Sequence, residues 1–149
     1  MEQHVKKILW IDDDINRYSL LPYIDEFKAR NLKIEGASNP DKSDEMLLKQ
    51  HDFQCIIVDV TMPLGEHIQF DEAKGGMQTG LVYLKKLVEN QDLKDVKKVV
   101  FTIADDTEVR EYCKNQNPEI PYLLKQRYFS NTFAEAIDKI IKEESINLE

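Results

Sequence analysis

The sequence lacks the features that mark several classes of protein. Its two cysteines, Cys55 and Cys113, form no metal-binding or redox spacing, and its three histidines are scattered rather than paired. No apolar run approaches the roughly 20 residues that a membrane-spanning helix needs, and the N-terminal residues do not have the pattern of a signal peptide. These absences argue against a metal-thiolate protein, a thiol oxidoreductase and a membrane protein. They lead us to expect a cytoplasmic location.

Positive charge is also scarce. The 149 residues carry 20 lysines and arginines against 28 aspartates and glutamates, which gives a net charge of −8. A nucleic-acid-binding surface needs a basic face to neutralise phosphates, so this composition argues against direct nucleic-acid binding. A hydrophobic content of 42% nevertheless predicts a folded globular protein. The length predicts a single domain over residues 1–149.

The most informative stretch is CIIVDVTMP at residues 55–63. Its first four residues are apolar, as in a strand that is buried on both faces of a parallel sheet. Pro63 cannot donate to a strand ladder, so the strand must end near it, and Asp59 is then placed at the carboxyl end of a central strand. Open α/β sheets bind their ligands at that end, so Asp59 is a candidate site residue.

Four more apolar stretches alternate with helical patterns along the chain. They are expected to form strands at residues 6–11, 33–38, 97–103 and 120–125. Each strand is followed by a segment with apolar residues near helical spacing. This alternation predicts an α/β fold, a doubly wound sheet of five parallel strands with helices on both faces.

Three local features of these elements can be predicted. Pro22 is tolerated only in a first helical turn, so the first helix either begins near Ser19 or is kinked. The last helix is expected to begin near residues 130–132, with Thr132 and Glu135 forming a capping box. Residues 64–79 are expected to form a long loop with room for a short hairpin.

Polar side chains follow four of the five predicted strands. They are Asp12, Asp13 and Asp14 after the first strand, Asp59 after the third, Thr102 near the end of the fourth and Lys125 after the fifth. In a parallel sheet these ends lie on one edge, where several carboxylates repel one another unless a cation compensates. Hard oxygen ligands suit Mg²⁺, and an aspartate can accept a phosphoryl group whose oxygens Lys and Thr bind. The pattern indicates Mg²⁺-assisted phosphoryl transfer to Asp59.

Four segments, in this order, resemble the receiver domain of two-component response regulators, and the resemblance covers essentially the whole chain. ILWIDDD resembles the acidic-pair strand, CIIVDVTMP the phosphoacceptor strand, VVFTIA the switch-threonine strand and YLLK the strand with the switch aromatic and the lysine. The resemblance implies a flavodoxin-like, CheY-like fold with strand order 2-1-3-4-5.

The resemblance also implies roles for individual residues. It implies a Mg²⁺ site made by Asp12, Asp13, Asp59 and the backbone carbonyl of Thr61. Asp59 would accept the phosphoryl group, Thr102 and Lys125 would bind its oxygens, and Tyr122 would be the switch aromatic. The implied function is that of a stand-alone receiver in a phosphorelay and not of an enzyme. Its partners would be a sensor histidine kinase or phosphotransfer protein and an output protein bound around the fourth and fifth strands and the last helix.

The sequence departs from the family pattern at three places. Ile103 follows the switch threonine where the family has a small residue, and Gln126 follows the lysine where the family usually has proline. Residues 64–79 contain an insertion before Gly80, the position that resembles a family glycine. This insertion begins at the mouth of the site, so it is expected to act as a lid or as a docking element unless it is only a tolerated surface loop.

The insertion carries three apolar residues, Ile68, Phe70 and Met77, which we expect to offer apolar surface.

Two other functions fit parts of the pattern. One is a receiver-like interaction module that does not depend on phosphorylation, which retains every residue above and is separated only by a phosphate-analogue titration. The other is a metal-dependent phosphohydrolase, because Asp12 and Asp14 also form an Asp-x-Asp motif after a strand. That class expects an acidic pair after the lysine, whereas Asp105 and Asp106 precede Lys125.

Overall fold

The computed structural model describes residues 5–15 and 18–143, and within them strands and helices alternate. The strands are β1 (Lys6–Ile11), β2 (Leu32–Ala37), β3 (Phe53–Val58), β4 (Lys97–Thr102) and β5 (Tyr122–Leu124). The helices are α1 (Leu21–Ala29), α2 (Pro40–Lys49), α3 (Thr79–Glu89), α4 (Thr107–Lys114) and α5 (Ser130–Ile141). The predicted alternation of strands and helices is confirmed.

The five strands form one parallel sheet in the order β2-β1-β3-β4-β5. The predicted strand order is therefore confirmed, with β3 at the centre. Ile11 pairs with Val58 and Val58 with Val100, while Thr102 pairs with Leu124. This register brings the residues that follow β1, β3 and β5 to the same edge of the sheet as Thr102.

The boundaries of β1 are as predicted, and those of the other four strands differ from the prediction by one to two residues. β3 begins at Phe53, two residues earlier than the apolar run, because Phe53 is itself buried on one face of the sheet. β5 is shorter than predicted and begins at Tyr122. Pro121 has no N–H to donate, although its carbonyl accepts a hydrogen bond from the N–H of Val100 at 2.9 Å.

The first helix begins after a short 3₁₀ turn at Tyr18–Leu20, so Pro22 lies in its first turn. Of the two alternatives for this helix, a start near Ser19 is confirmed. Residues 16 and 17 of the predicted helical segment lie outside the described residues.

The predicted capping box at the start of α5 is wrong. The backbone N–H of Phe129 donates to Thr132 Oγ1 at 2.8 Å. Thr132 is the third residue of the helix, so its side chain accepts from the residue that precedes the helix and is not itself the N-cap. Glu135 does not reach back to the helix start and forms an ion pair with Lys139 at 3.2 Å. The sequence motif misplaced the cap because Phe129, which has no polar side-chain group, precedes the helix.

The core lies on both faces of the sheet because successive residues of the buried strands point to opposite sides. In β1, Trp10 belongs to the cluster beneath α1 and α5, whereas Leu9 belongs to the cluster beneath α2, α3 and α4. The first cluster is aromatic, and Phe101 of β4 stacks on Phe133 of α5 with ring centroids 3.6 Å apart. Within the described part of the chain, no helix is long and apolar enough to cross a bilayer.

Residues 64–79, which run up to the first residue of α3 and which we call the 64–79 loop, are packed against the rest of the described chain. The predicted long loop is confirmed, but the short hairpin for which it had room does not form, and a 3₁₀ turn lies at Lys74–Gly76. Ile68 is buried in the core cluster beneath α2, α3 and α4, which corrects its prediction as exposed apolar surface, while Phe70 and Met77 are exposed as expected. At the other end of the loop, the N–H of Glu66 donates to Asp41 of α2 at 2.8 Å.

Candidate functional site

The predicted site residues meet in an open cleft at the carboxyl edge of the sheet. The cleft has a volume of about 410 Å³. Its walls include Asp13, Asp14, Asp59, Thr61, Ile103 and Lys125. Asp12 lies beneath the cleft and is fully buried. The sheet register, which aligns the ends of β1, β3, β4 and β5, is what gathers residues that are far apart in sequence.

Lys125 links two of the buried carboxylates. Its Nζ donates to Asp12 Oδ2 at 2.6 Å and to Asp59 Oδ2 at 3.1 Å. Burial by itself would lower the pKa of Lys125, but the carboxylates of Asp59 and Asp12 outweigh it and the pKa lies above its ordinary value. The ammonium therefore stays charged and holds the ends of β1, β3 and β5 together.

Asp59 is a buried carboxylate in which only one of the two oxygens has a hydrogen-bond partner among the described residues. Its exposed fraction is 6%, and Oδ1 has no hydrogen-bond partner among the described residues, whereas Oδ2 accepts from Lys125. Burial is the main cause of a raised pKa at Asp59. The Lys125 charge opposes it, the neighbouring Asp12 carboxylate reinforces it, and the nearby Thr102 hydroxyl lowers the pKa slightly. A buried polar atom without a protein partner is uncommon in folded proteins and calls for a water, an ion or a ligand.

The three consecutive aspartates form the acidic wall of the cleft. One carboxylate oxygen from each of Asp12, Asp13 and Asp14 lies within 4.8 Å of the others. Burial, followed by the charges of Asp14 and Asp12, raises the pKa of Asp13. Four carboxylates, these three and Asp59, therefore surround one ammonium, and the surplus negative charge with its oxygen donors fits a hard divalent cation.

Thr102 and Tyr122 are connected through the segment between β4 and α4. Thr102 is fully buried at the end of β4, and its Oγ1 accepts a hydrogen bond from the N–H of Ala104 at 3.2 Å. The Tyr122 hydroxyl donates to the carbonyl of Ala104 and accepts from the N–H of Asp106 at 3.1 Å. The two predicted switch residues thus both form hydrogen bonds to the segment at residues 103–106, which joins β4 to α4.

The two unusual residues near the site also have defined places. Ile103 is 71% exposed and lines the cleft, so the bulk that replaces the family's small residue stands at the rim. The side-chain amide of Gln126 donates to the carbonyl of Ile103 at 3.3 Å. Gln126, which stands where the family usually has proline, therefore joins the segment after β5 to the segment after β4 by a hydrogen bond.

Gly80 is required where α3 crosses the end of β3. Its N–H donates to the carbonyl of Val60 at 2.8 Å. A Cβ at this position would overlap the carbonyl oxygen of Asp59 and lie 2.7 Å from Val60 Cα. The close approach of α3 to the main chain of Asp59 and Val60 is therefore possible only for glycine.

Sequence reasoning missed two residues that border the site. Gln78, in the 64–79 loop, donates from its side-chain amide to the carboxylate of Asp106, which caps α4 by accepting from the N–H of Val109 at 3.2 Å. The sequence contained no signal that this glutamine contacts a residue so far along the chain. Tyr23 of α1 also lines the cleft, and no pattern in the sequence indicated it as a site residue.

Comparison with known proteins gives fold matches only. No family model and no curated protein sequence matches the chain. Among solved structures, it is similar to a CheY-like response regulator receiver domain protein from Methanospirillum hungatei, with 18% identity and a TM-score of 0.69 over 93% of this chain and 95% of that one. It is also similar to the chemotaxis response regulator CheY4 of Vibrio cholerae, with 18% identity and a TM-score of 0.65 over 91% of this chain and 98% of that one.

A third match is the BeF₃-activated receiver domain of DrrB, with 13% identity and a TM-score of 0.61 over 93% of this chain and 98% of that one. At these low identities the likeness establishes the architecture. Each match covers almost the full length of this chain and of the matched one. The chain therefore has the CheY-like fold of response regulator receiver domains.

Proposed function

We propose that this chain is a phosphorylatable receiver in which Asp59 accepts a phosphoryl group with the help of Mg²⁺. The observation that carries the proposal is the buried Asp59 carboxylate, whose Oδ1 has no described partner while Oδ2 is held by Lys125. A structural aspartate would be expected to have both oxygens satisfied. An acceptor needs one oxygen held and the other available for attack.

Phosphoryl acceptance follows from this arrangement. Oδ1 of Asp59 attacks the phosphorus of a phosphodonor, the new O–P bond forms, and the bond to the leaving group breaks with its electron pair leaving on the donor. Lys125 neutralises negative charge that arrives at the site, because its ammonium is already within hydrogen-bond distance of Asp59. Because Asp59 is buried, where the effective dielectric constant is low, its attraction to the Lys125 charge is stronger than it would be in water.

The residues for a Mg²⁺ site are Asp12, Asp13 and Asp59, with the backbone carbonyl of Thr61. Asp14 lies beside them. The fit rests on the surplus of carboxylates over the single ammonium and on the unsatisfied oxygen of Asp59. When bound, Mg²⁺ would neutralise the carboxylates and bind phosphoryl oxygens, which lowers the repulsion that a dianionic donor meets.

The proposed output is a change of protein contacts. Thr102 and Lys125 would bind the phosphoryl oxygens, and Tyr122 would report the change because it shares the Ala104 segment with Thr102. A sensor histidine kinase or a phosphotransfer protein would supply the phosphoryl group. An output protein would bind the face around β4, β5 and α5, so the chain would act as a switch and not as an enzyme.

The test is the intact mass of the protein after incubation with acetyl phosphate. Wild type should gain one phosphoryl group with Mg²⁺ and none with EDTA, and Asp59→Asn should gain none. Asp105→Asn is the matched control, because Asp105 lies on the exposed segment after β4 and forms an ion pair with Arg110. A folded wild type that gains no phosphoryl group with Mg²⁺, or an Asp59→Asn variant that labels equally, would overturn the proposal. The first result would favour a phosphorylation-independent interaction module.

A further inference from the structure

Gln78 lies in the 64–79 loop, immediately before α3, and its side chain is buried although it is polar. Its exposed fraction is 4%. The side-chain amide donates to Asp106 Oδ2 at 2.9 Å and to Glu108 Oε1 at 3.2 Å, so both amide hydrogens are directed at carboxylates at the start of α4. A buried amide with two charged acceptors makes a directional contact that is stronger than a neutral hydrogen bond.

Asp106, the acceptor, is the point where three elements meet. Its Oδ1 caps α4, its Oδ2 accepts from Gln78, and its backbone N–H donates to the Tyr122 hydroxyl. Burial acts to raise the pKa of Asp106, but the hydrogen bonds from Gln78 and from backbone N–H groups together hold that pKa below its ordinary value. The carboxylate that Gln78 contacts is therefore charged.

From Asp106 the connection continues to the phosphoryl-binding threonine. The Tyr122 hydroxyl donates to the carbonyl of Ala104, and the N–H of Ala104 donates to Thr102 Oγ1. Gln78, Asp106, Tyr122, Ala104 and Thr102 thus form a continuous series of hydrogen-bonded residues. The series begins in the 64–79 loop and ends at the candidate site.

The same end of the 64–79 loop also contacts the segment that follows β3. Thr61 Oγ1 donates to the carbonyl of Met77 at 3.2 Å, one residue before Gln78. Lys74 adds an ion pair to Glu108 at 2.8 Å, but both side chains are more than half exposed, so this pair contributes little. Gln78 is therefore the main contact by which the loop restrains the segment between β4 and α4.

We propose that Gln78 is a positioning residue that holds the segment between β4 and α4 in the arrangement in which Tyr122 and Thr102 both bind Ala104. This inference rests on the proposed function. A phosphoryl group on Asp59 would compete for the Lys125 ammonium, which is engaged with Asp12 and Asp59 in this arrangement. It would also accept from the Thr102 hydroxyl, whose oxygen accepts from the N–H of Ala104 here. Removing the Gln78 contact therefore favours the competing arrangement and strengthens the binding of a phosphoryl analogue.

The test measures the affinity for beryllofluoride with Mg²⁺ by titration calorimetry. Gln78→Ala should bind beryllofluoride at least about threefold more tightly than wild type, through the shift of population between the two arrangements. Gln69→Ala is the matched control, because Gln69 lies in the same loop with an exposed side chain. In a Tyr122→Phe background the effect of Gln78→Ala should disappear, since the hydroxyl that transmits it is gone.

Unchanged or weaker affinity in Gln78→Ala, or an undiminished effect in the Tyr122→Phe background, would overturn the inference. Glu108→Ala removes one acceptor at an exposed position and should tighten binding in the same direction, which keeps the test decisive if Gln78→Ala fails to fold.

A second measurement separates this inference from the proposed function. Amide exchange over residues 103–110 of the free protein should be faster in Gln78→Ala than in wild type and Gln69→Ala. A wild type that binds no beryllofluoride would overturn the proposed function, whereas unchanged exchange in Gln78→Ala would overturn the role of Gln78.

Discussion

Replacing Lys125 by Met should destabilise the protein in a way that depends on pH. Met keeps most of the aliphatic stem but removes the ammonium that lies 2.6 Å from Asp12 and 3.1 Å from Asp59. Two buried carboxylates then face each other without compensation. Removing one partner of a buried ion pair costs about 3–5 kcal/mol. Because the Lys125 side chain keeps an exposed fraction of 17%, we expect the lower end, about 3 kcal/mol, at pH 7.

The pH dependence follows from the protonation of Asp59. Its pKa is already raised from 3.8, mainly by burial, and loss of the ammonium raises it further. The penalty for the uncompensated charge cannot exceed the free energy of protonating the carboxyl, about 4 kcal/mol at pH 7 and about 1.6 kcal/mol at pH 5 at ~1.36 kcal/mol per pH unit. The destabilisation should therefore shrink to about 1–2 kcal/mol at pH 5.

Urea unfolding at pH 7 and pH 5, without divalent cations, measures both free energies. Lys139→Met is the matched control, because Lys139 forms a half-exposed ion pair with Glu135 and should lose no more than about 0.5 kcal/mol at either pH. The double variant Asp59→Asn/Lys125→Met should recover most of the loss at pH 7. A loss for Lys125→Met that is as small as the control, or that stays the same at both pH values, would refute this electrostatic reasoning.

Three further outcomes are expected. Asp59→Asn should raise the free energy of unfolding by about 1 kcal/mol at pH 7. The raised pKa of Asp59 means that the wild type is penalised only when this carboxyl is charged, so its stability is greatest below the unfolded pKa and falls as pH rises through the folded pKa. The gain from Asp59→Asn should therefore vanish in urea titrations as the pH approaches 4. Gly80→Ala should cost about 3 kcal/mol in urea unfolding, since its Cβ meets the Asp59 main chain; a loss below about 0.5 kcal/mol would contradict the close approach. Thr102→Ala should still be phosphorylated but show a smaller change in amide exchange over residues 103–128, and an undiminished change would mean that other residues carry the signal.

The fold and the gathering of the site residues could be predicted because both depend on simple patterns. Short apolar strands that alternate with helices specify a parallel sheet, and the ends of its strands must share one edge. Asp12, Asp59, Thr102 and Lys125 follow such strands, so their proximity follows from the strand order. Their proposed roles remain predictions.

Features that depend on contacts across the chain could not be predicted. Ile68 is buried because the 64–79 loop folds back onto the core, and nothing in its local sequence indicates that packing. Gln78 finds its acceptors 28 and 30 residues later in sequence. The start of α5 at Ser130 lies within the predicted range, but its cap was misassigned because the Thr132 and Glu135 spacing fits a capping box, while the actual contact uses the N–H of Phe129.

The central claim, that Asp59 accepts the phosphoryl group, is tested most directly by reductive trapping. After incubation with acetyl phosphate and Mg²⁺, borohydride reduces an aspartyl phosphate to homoserine, and peptide mass mapping locates the changed residue. We expect homoserine at position 59, in the peptide that contains β3, and no conversion in a sample treated with EDTA. Homoserine at Asp12, Asp13 or Asp14, or no conversion in a folded sample with Mg²⁺, would contradict the assignment of Asp59 as the acceptor.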